Sequence, residues 1–196
     1  MAGSCIGDWE TVTMPRRRTS WSPGTRQAGR EKMLDAVSWL AFSNLCVYGN
    51  CCRSTLWAIQ THRRKEEPAT LRASAVLAGG LCGTGETCGA ILGGLIAIGE
   101  AAASQDFTDL ATYEAANKKA KRFLEELTAI YGSTRCFAIQ KAIMGWACDD
   151  PSKAQAWQEA GGPVACAGVC AEAARHAAAI LLADEPTSSG SGRPGC

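Results

Sequence analysis

The sequence predicts an all-α domain, a compact helical bundle with one glycine-rich loop between two disordered tails. Three observations lead there. Two long stretches repeat apolar residues at helical spacing, and a third is alanine-rich. Nowhere does an alternating run of β-branched residues or an Asn-Gly turn signal a hairpin.

Residues 1–30 hold Pro15, Pro23, Gly24, Gly29 and Arg16-Arg17-Arg18 without sustained periodicity, which marks a mobile basic N-terminal tail. A helical, cysteine-rich redox domain is expected over 31–183. Its first helix is written by Met33, Leu34, Val37, Leu40, Ala41 and Leu45. A second is written by Tyr113, Ala116, Ala120, Phe123, Leu124, Leu127, Ile130 and Tyr131, with Lys118, Lys119, Glu125 and Glu126 on the opposite face. The alanine-rich stretch from Ala171 to Ala183 has high intrinsic propensity and forms a third. Residues 184–196, rich in Ser, Gly and Pro and ending at Cys196, read as a flexible C-terminal tail.

Composition narrows the function. Twenty Lys and Arg against 19 Asp and Glu leave a net charge of +1, which argues against a nucleic-acid partner. Eleven cysteines among 196 residues are too sparse for a disulfide-stapled scaffold, and only two histidines accompany them. No secretory signal is visible: the arginine triplet leads into polar Thr19-Ser20-Trp21-Ser22 rather than an apolar segment. The uncharged apolar stretch Cys88 to Gly99 is about half of the ~20 residues a membrane span needs. The expectation is a cytoplasmic protein with no membrane span, in which clustered cysteines are reduced and serve metal or redox chemistry. Its Gly- and Ala-rich helix faces permit a homodimer.

Four cysteines stand beside helix-start signals. Asn50 precedes Cys51, Thr87 precedes Cys88, Ser133 and Thr134 precede Cys136, and Pro163 precedes Cys166. Free N–H groups and the positive dipole end at a helix start favour a thiolate, whether it is a nucleophile or a metal ligand. The loop Gly80-x-x-x-x-Gly85-Glu86-Thr87 mimics a phosphate loop, but Glu86 replaces its lysine and no strand precedes it. Gly83-Thr84-Gly85 opens a dinucleotide fingerprint that ends at Cys88 instead of glycine. Both readings fail. Gly89, Gly93 and Gly94 suit close helix packing instead. His62 and His176, beside arginines, read as surface residues, and Glu86 as a first-turn anion. Trp39, Trp57, Trp146 and Trp157 read as core or interface aromatics, because no basic groove accompanies them.

These motifs resemble the C_GCAxxG_C_C family, whose relatives are associated with redox systems. Gly49-Asn50-Cys51-Cys52-Arg53-Ser54-Thr55-Leu56 looks like its first motif. Ala78 to Gly93 is similar to its glycine-rich loop and Cys-Gly-Ala-x-x-Gly signature, carried here by Cys88-Gly89-Ala90-Ile91-Leu92-Gly93. Tyr131-Gly132-Ser133-Thr134-Arg135-Cys136 resembles the third motif. Cys166 with Val169, Ala173 and Ala174 resembles the fourth. The resemblance runs from about Met33 to Leu182. It implies a small helical domain with one essential cysteine from each motif: Cys51, Cys88, Cys136 and Cys166. A similar domain occurs in split-Soret cytochromes, where an iron–sulfur centre accompanies haem. This chain has no Cys-x-x-Cys-His, so haem attachment is not implied.

The leading expectation is that these four cysteines ligate an iron–sulfur cluster for electron transfer to a redox protein partner. Gly83 and Gly85 would shape the loop beside the sulfurs. Zinc would also suit four thiolates. That single ligands from four helices converge rests on the resemblance, since spacing cannot show it. A metal-free thiol–disulfide oxidoreductase and a non-catalytic scaffold or assembly protein are the other readings. Cys82 and Cys170 are candidate accessories, whereas Cys51 and Cys52 point in different directions on a helix. Cys5, Cys46 and Cys148 read as packing or surface residues.

Overall fold

The computed structural model describes residues 25–183. Residues 1–24 and 184–196, with Cys5, the arginine triplet and Cys196, lie outside the described residues. Eight α-helices follow in order: α1 Thr25–Tyr48, α2 Cys51–Arg63, α3 Pro68–Ala73, α4 Gly89–Ala102, α5 Leu110–Tyr131, α6 Cys136–Met144, α7 Ala154–Glu159 and α8 Gly162–Ala183. A 3₁₀ turn, Ser74–Leu77, leads from α3 into the glycine-rich loop. The all-α class stands.

Helix ends obey their local chemistry. Asn50 caps α2 by accepting the Arg53 N–H on its side chain, and Asp109 caps α5 by accepting from Thr112. Gly132 and Gly145 end α5 and α6 in the left-handed region, where a β-carbon would be strained. Helix α1 starts upstream of its expected place, at Thr25 inside the stretch assigned to the tail, and Arg30 donates to the Ala179 carbonyl of α8 at 2.9 Å. Helix α8 begins at Gly162, where the Pro163 signal put a helix start, and joins the alanine-rich stretch from Ala171 into one helix; Pro163 lies in its first turn, where the missing N–H costs nothing.

Helix α8 is the axis of the fold and packs on α1, α2, α4, α5, α6 and α7. Among the described helices it alone is long and apolar enough to cross a membrane by length and composition; here its flanks are covered by those neighbours. Buried alanines (Ala167, Ala173, Ala174, Ala177 and Ala178) keep its surface thin enough for this crowding. Phe123 and Leu127 of α5 and Leu56 and Ile59 of α2 fill the core around it. The tryptophans divide. Trp157 is buried, with Trp146 edge-on at 5.2 Å, while Trp39 is 59% exposed and stacks on Phe42.

Candidate functional site

The backbone, rather than any side chain, first brings two of the cysteines together. The loop after the 3₁₀ turn winds through left-handed conformations at Gly79, Gly80, Leu81, Cys82, Gly83 and Gly85. It is pinned by Gly85 N–H to the Gly79 carbonyl and Glu86 N–H to the Gly80 carbonyl, both 3.1 Å. The chain then runs extended beside the segment before α6, forming an antiparallel bridge between Thr87 and Arg135. Cys88 N–H donates to the Thr134 carbonyl at 2.9 Å, and Cys136 N–H donates to the Glu86 carbonyl at 2.7 Å. Cys88, the N-cap of α4, and Cys136, the first residue of α6, thus emerge side by side.

Two glycines bring the third cysteine in. Gly89 and Gly93, four apart, present a bare strip of α4 to α2. A β-carbon on Gly89 would stand 2.4 Å from the Cys51 sulfur, and one on Gly93 would stand 2.4 Å from the Cys52 carbonyl oxygen. Nothing larger than glycine permits this approach. Gly94 faces the other way, against the Phe123 ring. The fourth and fifth sulfurs come from Cys166 and Cys170, one turn apart on α8, and the Cys170 thiol donates to the Cys51 carbonyl at 3.7 Å.

Burial governs the chemistry of these thiols, and they act on one another. Burial pushes the Cys51 thiol up, and Cys88 adds to the effect. A side-chain hydrogen bond with Cys136 pushes Cys88 well up, with burial behind it; the N–H groups of Ala90 and Ile91 oppose the shift from the start of α4. Burial lifts Cys166 to about 12, reinforced by Cys88, Cys51 and Cys148. It also lifts Cys170 well up, reinforced by Cys51 and Cys88. Cys52, fully buried, is likewise pushed up to about 12 by burial and then by Cys51. None of the main influences on these five thiols is a cation. Left to the protein alone, they are neutral.

Three more side chains lie beside these cysteines: Tyr131 and Thr55, from the third and first motifs, and Gln140, which carried no signal in the sequence. Tyr131, the last residue of α5, is half-buried, and its hydroxyl feels Glu172 and then Cys88, Cys170 and Cys166 after burial has raised it. Gln140 spans two cysteines: its amide N–H donates to the Cys136 sulfur at 3.6 Å, and its oxygen accepts from Cys148 N–H at 2.8 Å. Thr55, fully buried, lies beside Cys170, and its hydroxyl has no oxygen or nitrogen partner.

The expected residues fare unequally. Cys51, Cys88 and Cys136 stand at helix starts, but Cys166 is the fifth residue of α8, at the edge of its first turn. Cys170 joins the group and Cys82 does not: Cys82 is exposed and donates to the Val76 carbonyl at 3.1 Å. Cys148, expected to be a bystander, is close enough to act on Cys166. Gly83 and Gly85 supply positive φ, yet neither meets a sulfur. A side chain at Gly83 would enter open space, and one at Gly85 would strike the Phe137 ring. The glycines that meet the cysteines are Gly80, whose β-carbon would lie 2.7 Å from that of Cys136, and Gly89; the Gly79 N–H also favours a Cys51 thiolate. Glu86 pairs with Arg135 at 2.8 Å on the surface. His176 pairs with Glu126 at 2.7 Å and lies 3.6 Å from Glu172.

Among the described residues, no three His, Cys, Asp or Glu side chains are gathered tightly enough to hold a single metal ion. The donor set, soft sulfur with backbone N–H groups beside it, is of the kind that iron–sulfur clusters and zinc take. A family model described as "Putative redox-active protein (C_GCAxxG_C_C)" matches residues 49–180, which span α2 through most of α8. No curated protein and no solved structure matches the chain.

Proposed function

The chain belongs to the C_GCAxxG_C_C family of redox-active proteins, and on that premise we propose that it is an electron-transfer protein whose cysteine pole holds an iron–sulfur cluster. Cys51, Cys88, Cys136 and Cys166 are the ligands, with Cys170 next to them. The observation that carries this reading is geometric: Cys88 and Cys136 emerge side by side, Gly89 admits the Cys51 sulfur, and Cys170, one turn from Cys166, donates to the Cys51 carbonyl. Burial pushes the Cys51, Cys88 and Cys166 thiols up, whereas a nucleophilic cysteine needs a lowered pKa. Metal binding removes the thiol protons outright and supplies the positive charge that the pole lacks.

When bound, the cluster would supply one-electron storage. The chain's own residues do the rest. N–H groups of Gly79, Ala90 and Ile91 favour negative sulfur, the Thr55 hydroxyl offers a further donor, and the apolar flanks of α2, α4 and α8 exclude water. Such a protein passes its electron to another redox protein, and its reduced thiols suit the cytoplasm.

A second reading has one observation of its own: the two backbone hydrogen bonds of the Thr87–Arg135 bridge set Cys88 and Cys136 side by side. In it these two thiols close to a disulfide, passing two electrons and two protons to a partner's disulfide, which opens to two thiols. Anaerobic purification with iron and sulfide analysis and a visible absorption spectrum separates the two. Iron and sulfide lost in C51S, C88S, C136S and C166S support the cluster. A colourless protein that takes up no iron on reconstitution, and cycles one Cys88–Cys136 disulfide, overturns it in favour of the second reading.

A further inference from the structure

The opposite face of α2 carries a feature the cysteine chemistry does not use. Asn50, Arg53, Ser54 and Trp57 fall on one side of that helix, away from Cys51 and Thr55. With Asn44 and Tyr48 of α1 and Leu71 of α3 they enclose a cleft of about 330 Å³. That is the low end of the range in which small-molecule sites lie.

Its walls and its polar groups are sharply divided. Trp57, Tyr48 and Leu71 supply flat and apolar surface. The polar complement is rich in donors: the Arg53 guanidinium carries no ion pair among the described residues, and no Asp or Glu lines the cleft. Asn44, only 6% exposed, has an amide nitrogen buried with no hydrogen-bond partner. The Asn50 side chain is already spent, donating to the Ala75 carbonyl at 2.8 Å and accepting from Arg53 N–H. Arg53 is therefore the unpaired charge at the cleft, and a charge-assisted pair there asks for an anion.

We infer that this cleft binds a small organic anion with a flat apolar body, of the aromatic carboxylate class. The ring lies against Trp57 and Tyr48, and the carboxylate meets the Arg53 guanidinium. This site is independent of the cluster reading, since none of its residues is a proposed ligand.

The test is isothermal titration of the full chain with 2-naphthoate, beside 2-naphthylmethanol and 2-naphthylmethylamine, which keep the ring and change the head to neutral and cationic. Binding of 2-naphthoate about tenfold tighter than either, the scale of one charge-assisted pair, is the expected result. R53Q, an exposed change, should weaken 2-naphthoate about fivefold or more at an unchanged melting temperature. No binding at millimolar 2-naphthoate, equal binding of the three probes, or full binding by R53Q overturns the inference. Amide chemical shifts of Arg53 and Trp57 on titration of the unaltered protein give a second readout. Shifts confined elsewhere also overturn it.

Discussion

The sulfur of Cys51 rests on the bare backbone of Gly89, where a β-carbon would lie only 2.4 Å away. Gly89 is also the neighbour of Cys88, so one missing side chain lets sulfur from α2 reach the start of α4. Replacing it with alanine should reverse the usual helix preference. G89A is expected to lower stability by about 1–3 kcal/mol through overpacking and to reduce iron content. G99A, in the same helix with open space before it, should gain roughly 0.5–1 kcal/mol. Urea unfolding and iron analysis of both variants check this.

Thiol reactivity should rank by burial. In metal-free protein at neutral pH, exposed Cys82 is expected to react first with an alkylating reagent, while Cys52, Cys88, Cys166 and Cys170 react only on unfolding. Peptide mapping after timed alkylation reads the order. Early labelling of Cys88 would sink the claim that the pole holds its thiols neutral.

The same raised values set a pH dependence. Cys52 and Cys166 are held at about 12 in the folded state, against 9.0 for an unperturbed thiol. From pH 9 to 12 the unfolded chain gives up protons that the folded chain keeps. Stability of the metal-free protein is therefore full below pH 9 and lost as pH rises towards 12, with an upper limit of about 1.4 kcal/mol per pH unit for each thiol. Urea midpoints between pH 7.5 and 10.5 should fall, and fall less steeply in C52A.

Glu86 should prove structural and minor. Its pair with Arg135 is half open to solvent on both sides, whereas the bridge beneath it is made of backbone. E86Q is expected to cost less than about 1 kcal/mol and to leave iron content unchanged. Loss of electron-transfer activity in E86Q at full iron loading would instead point to a proton-transfer role for this carboxylate.

His176 should act as a weak acid-side stabiliser. The carboxylate of Glu172, then that of Glu126, raises its pKa above the ordinary 6.5. Its contribution is complete below pH 6.5 and is lost as pH rises through the higher folded value; solvent exposure keeps it under about 1 kcal/mol. Melting temperatures from pH 5.5 to 8.5 should decline more in the native chain than in H176Q.

What the sequence disclosed was local, and what it hid was tertiary. Asn50 before Cys51 and the Gly89/Gly93 pair are signals of a helix start and a close crossing, and both are seen. Pro163 marked the start of α8, but the stretch from Gly162 to Cys170 shows no period because it lacks a polar face: that segment is covered on many sides. Tyr131, Gln140 and Thr55 reach the sulfurs only because α5, α6 and α2 converge there, and no spacing along the chain encodes that meeting. Cys82 misled because glycine density suggested a pliant loop. Its backbone is instead bonded residue by residue to Val76, Ala78, Gly79 and Gly80.

The short bridge between Thr87 and Arg135 gives the pole a mechanical asymmetry. Cys88 and Cys136 are riveted by two backbone hydrogen bonds, so their separation cannot change without breaking both. Cys166 and Cys170 have no such bridge and are placed by the packing of α8, the helix that touches almost every other in the fold. One pair of cysteines is thus fixed by a local bridge of backbone and the other by the assembly of the whole bundle.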